Sequence, residues 1–264
     1  MMLITSKDNR LVKEWRALNE QAKQRRKTGL FAIEGARLCG DALASGLTLT
    51  TVLYTAAARE TYATVVEGLI AAAGEVAEIT PELARSMADT ANPQGVFCVA
   101  KSLDIQLSLD TIDNMGRYGV LEDIQDPGNL GTMIRTAEAF GLDGLLLSSG
   151  CCDIYNPKVL RASMGGVFRL PLAVTEDLPA AIAALQARGM TALACVVDTD
   201  AEPLHRVEKT AGVLCVIGNE GNGLKPATVA VCKKRVTIPM AGRAESLNAS
   251  MAAGIAMWEM TRPE

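Results

Sequence analysis

The chain has 264 residues and a formal net charge of −4, which is enough length for one large domain or two small ones. Its apolar content of 49% and charged content of 21% are ordinary for a globular protein, and no apolar run approaches the length of a membrane span. The charged N-terminus does not resemble a secretory signal peptide. We therefore expect a cytoplasmic protein that does not associate with a membrane.

The cysteines and the single histidine limit the kinds of catalytic or metal site that this chain can form. The seven cysteines lie mostly in apolar segments and form no CxxC pair, which is typical of reduced core thiols. His205 is the only histidine, so the sequence argues against a histidine-based catalytic triad and against a histidine-rich metal site. We expect no metal cofactor.

The first hundred residues predict a compact α/β unit. A polar, helix-favouring segment ends near Gly29, and strands and helices alternate after it. The predicted elements are helices over 9–28, 36–44, 58–73 and 81–87 and strands over 30–34, 51–54, 76–79 and 95–100. The segment 102–116 has no firm period and is predicted to be a linker.

A second α/β series begins at Tyr118 and predicts a largely parallel sheet. The predicted strands cover 119–124, 144–148, 168–174, 191–197, 213–217 and 235–239, and the predicted helices cover 130–140, 157–164, 178–188, 226–232 and 245–260. Five successive apolar residues at 213–217 indicate a buried strand. The spacing G-x-x-G-x-G at 218–223 does not meet the G-x-G-x-x-G of dinucleotide-binding folds.

Three segments of the second half follow strands and are expected to meet at one edge of the sheet. They carry N-x-G-x-x-x-R-T-A at 129–137, G-N-E-G-x-G-L at 218–224 and I-P-M-x-G-x-x-E-S-L-N at 238–248. In order, separation and local residues, these segments resemble the three motifs of the SpoU (TrmH) family of RNA ribose methyltransferases. In addition, 31–37 resembles the small L30e-like substrate-binding domain that precedes the methyltransferase domain in many members.

The resemblance implies an architecture. It consists of an L30e-like α/β domain over 1–101, a linker over 102–116, and a mostly parallel α/β methyltransferase domain of the SPOUT type over 117–264. The resemblance also implies a C-terminal trefoil knot, which periodicity alone does not predict. Family members dimerise, so we expect a homodimer. The apolar face of the last helix is available for either core or dimer burial, and it comprises Met251, Ile255 and Trp258.

The resemblance also implies the reaction. The methyl donor is S-adenosylmethionine and the acceptor is a ribose 2′-hydroxyl of RNA, with ribosomal RNA favoured over transfer RNA. The positions that match the adenosine pocket are Gly218, Ile238 and Leu247, with Ile217 and Met240 as neighbours. By residue type alone, Ile217, Ile238 and Leu247 would be assigned to core packing. Glycine at position 218 is expected to let backbone approach a ligand closely.

The polar positions that match the family's catalytic positions are Arg135, Asn129, Glu220, Ser246 and Asn248. The family proposal gives Arg135 a part in activating the 2′-hydroxyl. Because a guanidinium keeps its proton in proteins, we assign it phosphate anchoring and stabilisation of developing alkoxide charge. Glu220 either orients the loop and the nucleotide or, if its pKa is raised, accepts a proton. The simpler alternatives are a helix N-terminal carboxylate for Glu220 and an N-cap for Asn129.

The charge is unevenly spread. Residues 1–37 hold nine basic and four acidic side chains, a net charge of +5, so the remainder carries −9. This asymmetry predicts a basic front that attracts RNA phosphates. The candidate contacts are Arg25, Arg26, Lys27 and Arg37. A solvated helix face is the alternative for this front, and a salt bridge to Glu34 is the alternative for Arg37.

Two other functions compete with this interpretation of the sequence. The first is a non-catalytic RNA-binding or ribosome-assembly protein of the same fold, against which the intact Arg135, Glu220 and Asn248 argue. The second is a dehydrogenase of Rossmann type, which this chain's missing glycine fingerprint disfavours. Ribose chemistry is the same for every base, so RNA shape and surface side chains select the methylated nucleotide.

Overall fold

The computed structural model describes residues 3–103, 107–208 and 210–262. Contacts divide the chain into two compact units, Met1–Asp104 with Tyr155–Phe168, and Ile105–Ile154 with Arg169–Glu264. The segment Tyr155–Phe168 groups with the first unit although it follows a strand of the second. The domain bounds expected from the sequence, 1–101 and 117–264, stay a prediction.

The first unit is built on a five-stranded mixed sheet of order β1-β4-β3-β5-β2. Strand β4 is parallel to β1 and β3, whereas β5 is antiparallel to β2 and β3. Its elements up to residue 101 are β1 (Leu3–Ile4), α1 (Arg10–Glu20), α2 (Ala22–Thr28), β2 (Leu30–Glu34), α3 (Ala36–Ala44), β3 (Leu49–Tyr54), α4 (Ala56–Thr61), α5 (Ala63–Ala72), β4 (Glu75–Ile79), α6 (Pro81–Met87) and β5 (Val96–Lys101).

Two helices predicted as single are each divided in two. The predicted helix 9–28 breaks at Gln21, whose backbone is extended, and the predicted helix 58–73 breaks at Tyr62. Helix α1 begins where the side chain of Asn9 accepts a hydrogen bond from the Leu11 amide. The core beneath α1 is centred on Trp15, whose ring meets Phe97 edge-on at a centroid distance of 5.1 Å.

The second unit is built on a seven-stranded sheet of order β10-β12-β9-β11-β6-β7-β8, in which every described pairing is parallel. The remaining elements of the chain are β6 (Arg117–Leu121), α7 (Pro127–Ala139), β7 (Gly144–Ser148), α8 (Pro157–Ser163), β8 (Leu172–Thr175), α9 (Leu178–Ala187), β9 (Thr191–Cys195), β10 (Glu202–Pro203), β11 (Val213–Ile217), α10 (Pro226–Val231), β12 (Lys234–Thr237) and α11 (Ala249–Thr261). Helix α8 belongs to the first unit by its contacts.

Helix starts differ from prediction where a polar side chain sets the cap. Helix α7 begins three residues early because Asp126 is its N-cap, and α11 begins four residues late because Asn248 is its N-cap.

The predicted strand 168–174 is instead a 3-10 turn, Gly166–Phe168, followed by β8. Within the described residues, no helix has the length and apolar character that a membrane crossing requires.

The parallel sheet determines where the site lies. Strands β6, β11 and β12 point the same way, so the segments that follow their carboxyl ends emerge at one edge of the sheet. These segments contain the three motifs identified in the sequence. All five residues of β11 are buried between β9 and β6.

Candidate active site

Glu220 joins two of the three segments. Its carboxylate accepts hydrogen bonds from the backbone amides of Gln125 and Asp126, at 3.1 and 3.0 Å. It accepts a third from the side-chain nitrogen of Asn129, at 3.1 Å. The loop after β11 is therefore tied to the turn between β6 and α7.

Asn129 carries the connection to the third segment. Its side-chain oxygen accepts a hydrogen bond from Nδ2 of Asn248, at 3.1 Å. It is not an N-cap, because Asp126 holds that position and accepts from the Asn129 amide at 2.8 Å. The interpretation of Asn129 as a simple cap is therefore wrong. The three segments meet through the chain Glu220–Asn129–Asn248.

The pKa of Glu220 lies below its ordinary value. Partial burial raises this pKa, but the hydrogen bonds donated by Asp126, Gln125 and Asn129 outweigh that effect. A general base would need a raised pKa, and the pKa of Glu220 is lowered instead. Glu220 is an ionised anchor at neutral pH, consistent with the orienting role.

The backbone atoms that come close to Gly218 belong to its own loop. The segment closes on itself through paired backbone hydrogen bonds between Asn219 and Gly223, at 3.0 and 2.9 Å. A Cβ at position 218 would overlap the backbone of Gly223 and Leu224. The glycine is thus required for loop closure, whereas the sequence interpretation assigned it to approach a ligand.

A second polar network supports this loop, and sequence reasoning missed it. Glu122 is buried and accepts hydrogen bonds from the Lys225 amide at 2.8 Å and from the Thr228 hydroxyl at 2.5 Å. Its neighbour Asp123 pairs with the Lys225 ammonium at 2.6 Å and accepts from the Ser148 hydroxyl at 2.7 Å. Both ends of the 218–224 loop are held in this way, since Asn219 also donates to the Asp123 carbonyl at 2.8 Å.

Asp123 occupies an unusual backbone conformation. Its φ is +52°, a left-handed value that only a few non-glycine residue types adopt readily. The hydrogen bond from Lys225 lowers the pKa of its carboxyl group, and that from Ser148 acts in the same direction. The available signal was the Glu-Asp pair directly after a buried strand, where two charges must find partners.

The predicted apolar residues divide between a cleft and the core. Ile238, Met240 and Leu247 line one cleft beside β9 and β12, together with Ser246. Gly218 and Ile217 are not among the residues that line it. Ile217 is instead a buried residue of β11, so for this position the core-packing alternative holds.

Arg135 and Ser246 are exposed and uncommitted. Arg135 lies on α7, and its side chain makes no hydrogen bond or ion pair with any residue that the structure describes. The Ser246 hydroxyl likewise has no described partner. The structure therefore does not bring these two side chains into the Glu220–Asn129–Asn248 chain, but it leaves both available to a bound molecule.

The prediction that Arg25 contacts RNA is wrong. Its side chain is buried, with 4% of the residue exposed, and its Nη1 donates to the carbonyls of Leu18 and Asn19 at 2.6 and 3.0 Å. These carbonyls are among the last of α1, so the guanidinium closes that helix across its break with α2. The side chain is used inside the protein.

The other predicted RNA contacts are exposed. Arg26 and Lys27 lie on α2, and Arg37 lies in the first turn of α3; none has a described hydrogen-bond or ion-pair partner. The alternative salt bridge between Arg37 and Glu34 is not formed. Glu34 instead accepts from the amide of Asp89 at 2.9 Å and from the hydroxyl of Thr90 at 2.6 Å.

Comparison with known proteins decides the family. The model of the SpoU rRNA Methylase family matches residues 117–258, and that of the MRM3-like substrate binding domain matches residues 9–98. The chain belongs to the SpoU rRNA methylase family. The family that its three motifs indicated is thereby confirmed.

Similar proteins of the family span nearly the full chain. RlmP of Bacillus subtilis (strain 168), a 23S rRNA (guanosine(2553)-2′-O)-methyltransferase, is 30% identical over 98% of this chain and 99% of its own. A 23S rRNA (uridine(2479)-2′-O)-methyltransferase of Streptomyces viridochromogenes is 33% identical over 98% and 91%. The crystal structure of AdoMet-bound rRNA methyltransferase from Sinorhizobium meliloti matches with a TM-score of 0.85 and 33% identity, covering 98% and 97%.

These matches confirm the predicted fold class, the methyltransferase activity and S-adenosylmethionine as methyl donor. The trefoil knot stays a prediction. No cluster of three or more histidine, cysteine or acidic residues suited to a metal ion occurs in the described part of this SpoU chain.

The cleft beside β12 fits the adenosine part of the methyl donor. Met240 and Leu247 are 37% and 38% exposed, so apolar side chains line an open cleft instead of filling it. Glu245 and Ser246 add polar groups to the same lining. Apolar walls with a few polar groups suit a ring that has apolar faces and polar edges.

Proposed function

We propose that this SpoU family member methylates a ribose 2′-hydroxyl of 23S ribosomal RNA. The observation that carries the proposal is the junction of the three motif segments through Glu220, Asn129 and Asn248. The 23S rRNA 2′-O-methyltransferases named above support it, because they resemble the chain over nearly its full length. Their targets differ in base, which agrees with ribose chemistry that is indifferent to the base.

Arg135 is the residue that binds the RNA next to the reacting 2′-hydroxyl. Its exposed guanidinium on α7 has no partner among the described residues and is available to bind an RNA phosphate with two parallel hydrogen bonds. The same positive charge stabilises the alkoxide character that the 2′-oxygen acquires as it loses its proton. The guanidinium itself keeps its proton, so the proton leaves to another acceptor.

The remaining polar residues position the segments and bind the nucleotide. Glu220, Asn129 and Asn248 keep the three segments together. This holds α7, which carries Arg135, in a fixed orientation relative to the segment that lines the cleft. The Ser246 hydroxyl, exposed at the cleft, is available as a hydrogen-bond donor. S-adenosylmethionine supplies an electrophilic methyl group when it is bound. Ile238, Met240 and Leu247 would hold its adenosine, with Gly218 acting through loop closure.

Mapping of ribose methylation tests this function. We expect one 2′-O-methylated nucleotide in 23S rRNA to disappear from cells that lack the gene and to return with the wild-type gene, because the chain transfers the methyl group itself. The Arg135→Ala gene should not restore it. The measurement is alkaline-hydrolysis resistance read by sequencing across 23S, 16S and transfer RNA. Loss of a methylated site in transfer RNA would show that the substrate is transfer RNA and not 23S rRNA. Methylation maps that are unchanged without the gene would favour the non-catalytic RNA-binding alternative.

The basic front of the chain supports capture of the RNA. Besides Arg26, Lys27 and Arg37, the exposed lysines Lys7 and Lys23 have no described partner. Other basic residues there are committed within the unit, since Lys13 pairs with Asp8 at 2.9 Å. The matched MRM3-like substrate binding domain, residues 9–98, covers most of this front and supports a domain that binds RNA over 1–101.

Neutralising Arg26 and Lys27 together should weaken RNA binding and flatten its salt dependence. Each phosphate contact on single-stranded RNA contributes about 0.7 to the slope of log K against log salt, so the slope should fall by up to about 1.4. The measurement is RNA affinity between low and moderate salt by filter binding. Gln21→Ala with Gln24→Ala, on the same helix region, is the uncharged control. Equal slopes in all three proteins would leave the basic front as a solvated helix surface.

The proposed homodimer rests on α11. This helix packs against α7 through its buried face, whereas Met251, Ile255 and Trp258 remain 61%, 36% and 47% exposed. A contiguous apolar face of this kind typically marks an interaction surface. The exposure of these residues supports the dimer over burial in the chain's own core, although the ring of Trp258 also meets Phe140 at a centroid distance of 5.4 Å. We place the dimer in the cytoplasm, where its ribosomal substrate is found.

Charge on this face should dissociate the dimer. Met251→Glu with Trp258→Glu would bury two carboxylates in an apolar contact, so the protein should sediment as a monomer at concentrations where the wild type is a dimer. Met115→Glu is the matched control, because Met115 is 67% exposed outside this helix. A wild type that sediments as a monomer at tens of micromolar, or a charged variant that remains dimeric, would contradict the assignment.

A further inference from the structure

The first unit contains a cavity that neither the motifs nor the family comparison assigns. It lies between the start of α3, the loop 89–94 and helix α8, all of which belong to the first unit. Its volume is about 380 Å³, which is ample for a single planar base. It is open to solvent, and Arg37, Asn92 and Gln94 are exposed residues of its lining.

The charges that line the cavity balance. Arg37 and Arg161 contribute two positive charges, and Glu34 and Asp41 contribute two negative ones. Arg161 also pairs with Asp89 at 3.4 Å, so Arg37 is the cation that remains without a described partner. Because these four charges sum to zero, the lining has no net positive charge to attract a phosphate, which would also be repelled by the two carboxylates. The charge balance favours a neutral ligand.

The other lining groups match a nucleobase. Leu38 and Met164 offer apolar surface, which suits the face of a ring. Asn92 and Gln94 offer amide donors and acceptors, which suit its edge. The exposed guanidinium plane of Arg37 is of the kind on which unstacked bases of RNA stack.

The walls of the cavity are held in place without a ligand. The loop 89–94 is fastened by Glu34, which accepts from Asp89 and Thr90, and by Asn19, which donates to Asp89 at 3.2 Å. Helix α8 is fastened by the Arg161–Asp89 pair. Beside it, the ring of Tyr155 stacks on Phe31 at a centroid distance of 4.4 Å. A cavity whose walls are already fixed costs little ordering when it binds.

We propose that this cavity receives one unstacked nucleobase of the RNA substrate. One face of the base lies against Leu38 and Met164, its edge bonds to Asn92 and Gln94, and the exposed guanidinium of Arg37 stacks on its other face. The cavity thereby selects RNA by one extruded base other than the methylated nucleotide. The inference rests on the proposed RNA substrate and adds a base-specific determinant to it.

The test removes the edge contacts without changing volume. Asn92→Leu with Gln94→Met should raise the KM for unmethylated ribosomal RNA about tenfold, since two hydrogen bonds to the base are lost, with kcat and S-adenosylmethionine affinity unchanged. Gln21→Met with Gln24→Met removes two amides from the same unit outside the cavity and should leave KM unchanged. An unchanged KM in the cavity variant would overturn the inference.

A second readout does not depend on methyl transfer. Ultraviolet irradiation of the full-length protein with the same RNA should crosslink one nucleotide to a residue within 34–41 or 89–94, and the cavity variant should lose this crosslink. Crosslinks confined to other residues would overturn the base pocket even if the RNA is methylated. A cavity crosslink on RNA that is never methylated would keep the pocket and contradict the proposed activity instead.

Discussion

Replacing Arg135 with alanine is expected to lower methyl transfer by about a hundredfold or more while the affinity for S-adenosylmethionine stays near that of the wild type. The size of the loss is typical for removal of one group that stabilises charge in the transition state. The affinity is preserved because Arg135 is not among the residues that line the apolar cleft, and it supports no described hydrogen bond or ion pair. The measurements are single-turnover transfer of a labelled methyl group and calorimetry with the cofactor.

Two further variants make the Arg135 result specific. Arg135→Lys should recover little activity, because a point charge cannot reproduce the planar fork that binds a phosphate through two hydrogen bonds. Arg117→Ala is the matched control, since Arg117 is exposed at the start of β6, at the opposite edge of the parallel sheet. If Arg135→Ala transfers methyl groups at the wild-type rate, Arg135 is only a surface residue of α7.

The parallel sheet and the convergence of the motifs could be predicted because both follow from local sequence. Unbroken apolar runs such as 213–217 indicate buried strands, and parallel strands place their carboxyl ends together. That Glu220 would bond to the turn before α7 could not be predicted. The contact joins residues 94 and 95 positions apart, and no local period encodes such a pairing.

Arg25 shows why residue type alone misassigned a functional contact. In the sequence it is one of three consecutive cations, and nothing separates it from Arg26 and Lys27. The break at Gln21 turns α2 so that Arg25 reaches the unpaired carbonyls at the end of α1, whereas its neighbours stay exposed. Helix ends need such partners, and the break that created this end was not visible in the composition.

Ile217 and Ile238 show the same limit among apolar residues. Each is an isoleucine near the carboxyl end of a strand, and both were assigned to the cofactor pocket. Strand β11 is covered by neighbours on both sides and Ile217 is buried with it. Strand β12 lies next to the short strand β10 near the sheet edge, and the segment that follows it stays open, so Ile238 lines a cleft. Strand order distinguishes them, and strand order is a property of the fold.

Replacing Gly218 with alanine is expected to abolish methyl transfer and to weaken S-adenosylmethionine binding by about a hundredfold or more, although the sheet still folds. A Cβ at this position would overlap the backbone of Gly223 and Leu224, and backbone atoms cannot move aside as a side chain can. The loop would open and carry Glu220 away from Asn129, which separates the three motif segments.

The two other glycines of the loop serve as graded controls, since each isolates one cause. A Cβ at Gly221 would meet only the Asn219 side chain at 3.7 Å, an ordinary contact, so Gly221→Ala should bind and transfer like the wild type. Gly223 has open space but a φ of +65°, so alanine there costs roughly 1–2 kcal/mol of backbone strain and should give an intermediate loss. Calorimetry and methyl transfer measure the series, and circular dichroism checks the fold. If all three alanine variants behave alike, the crowding of Gly218 against its own loop is not what holds the site together.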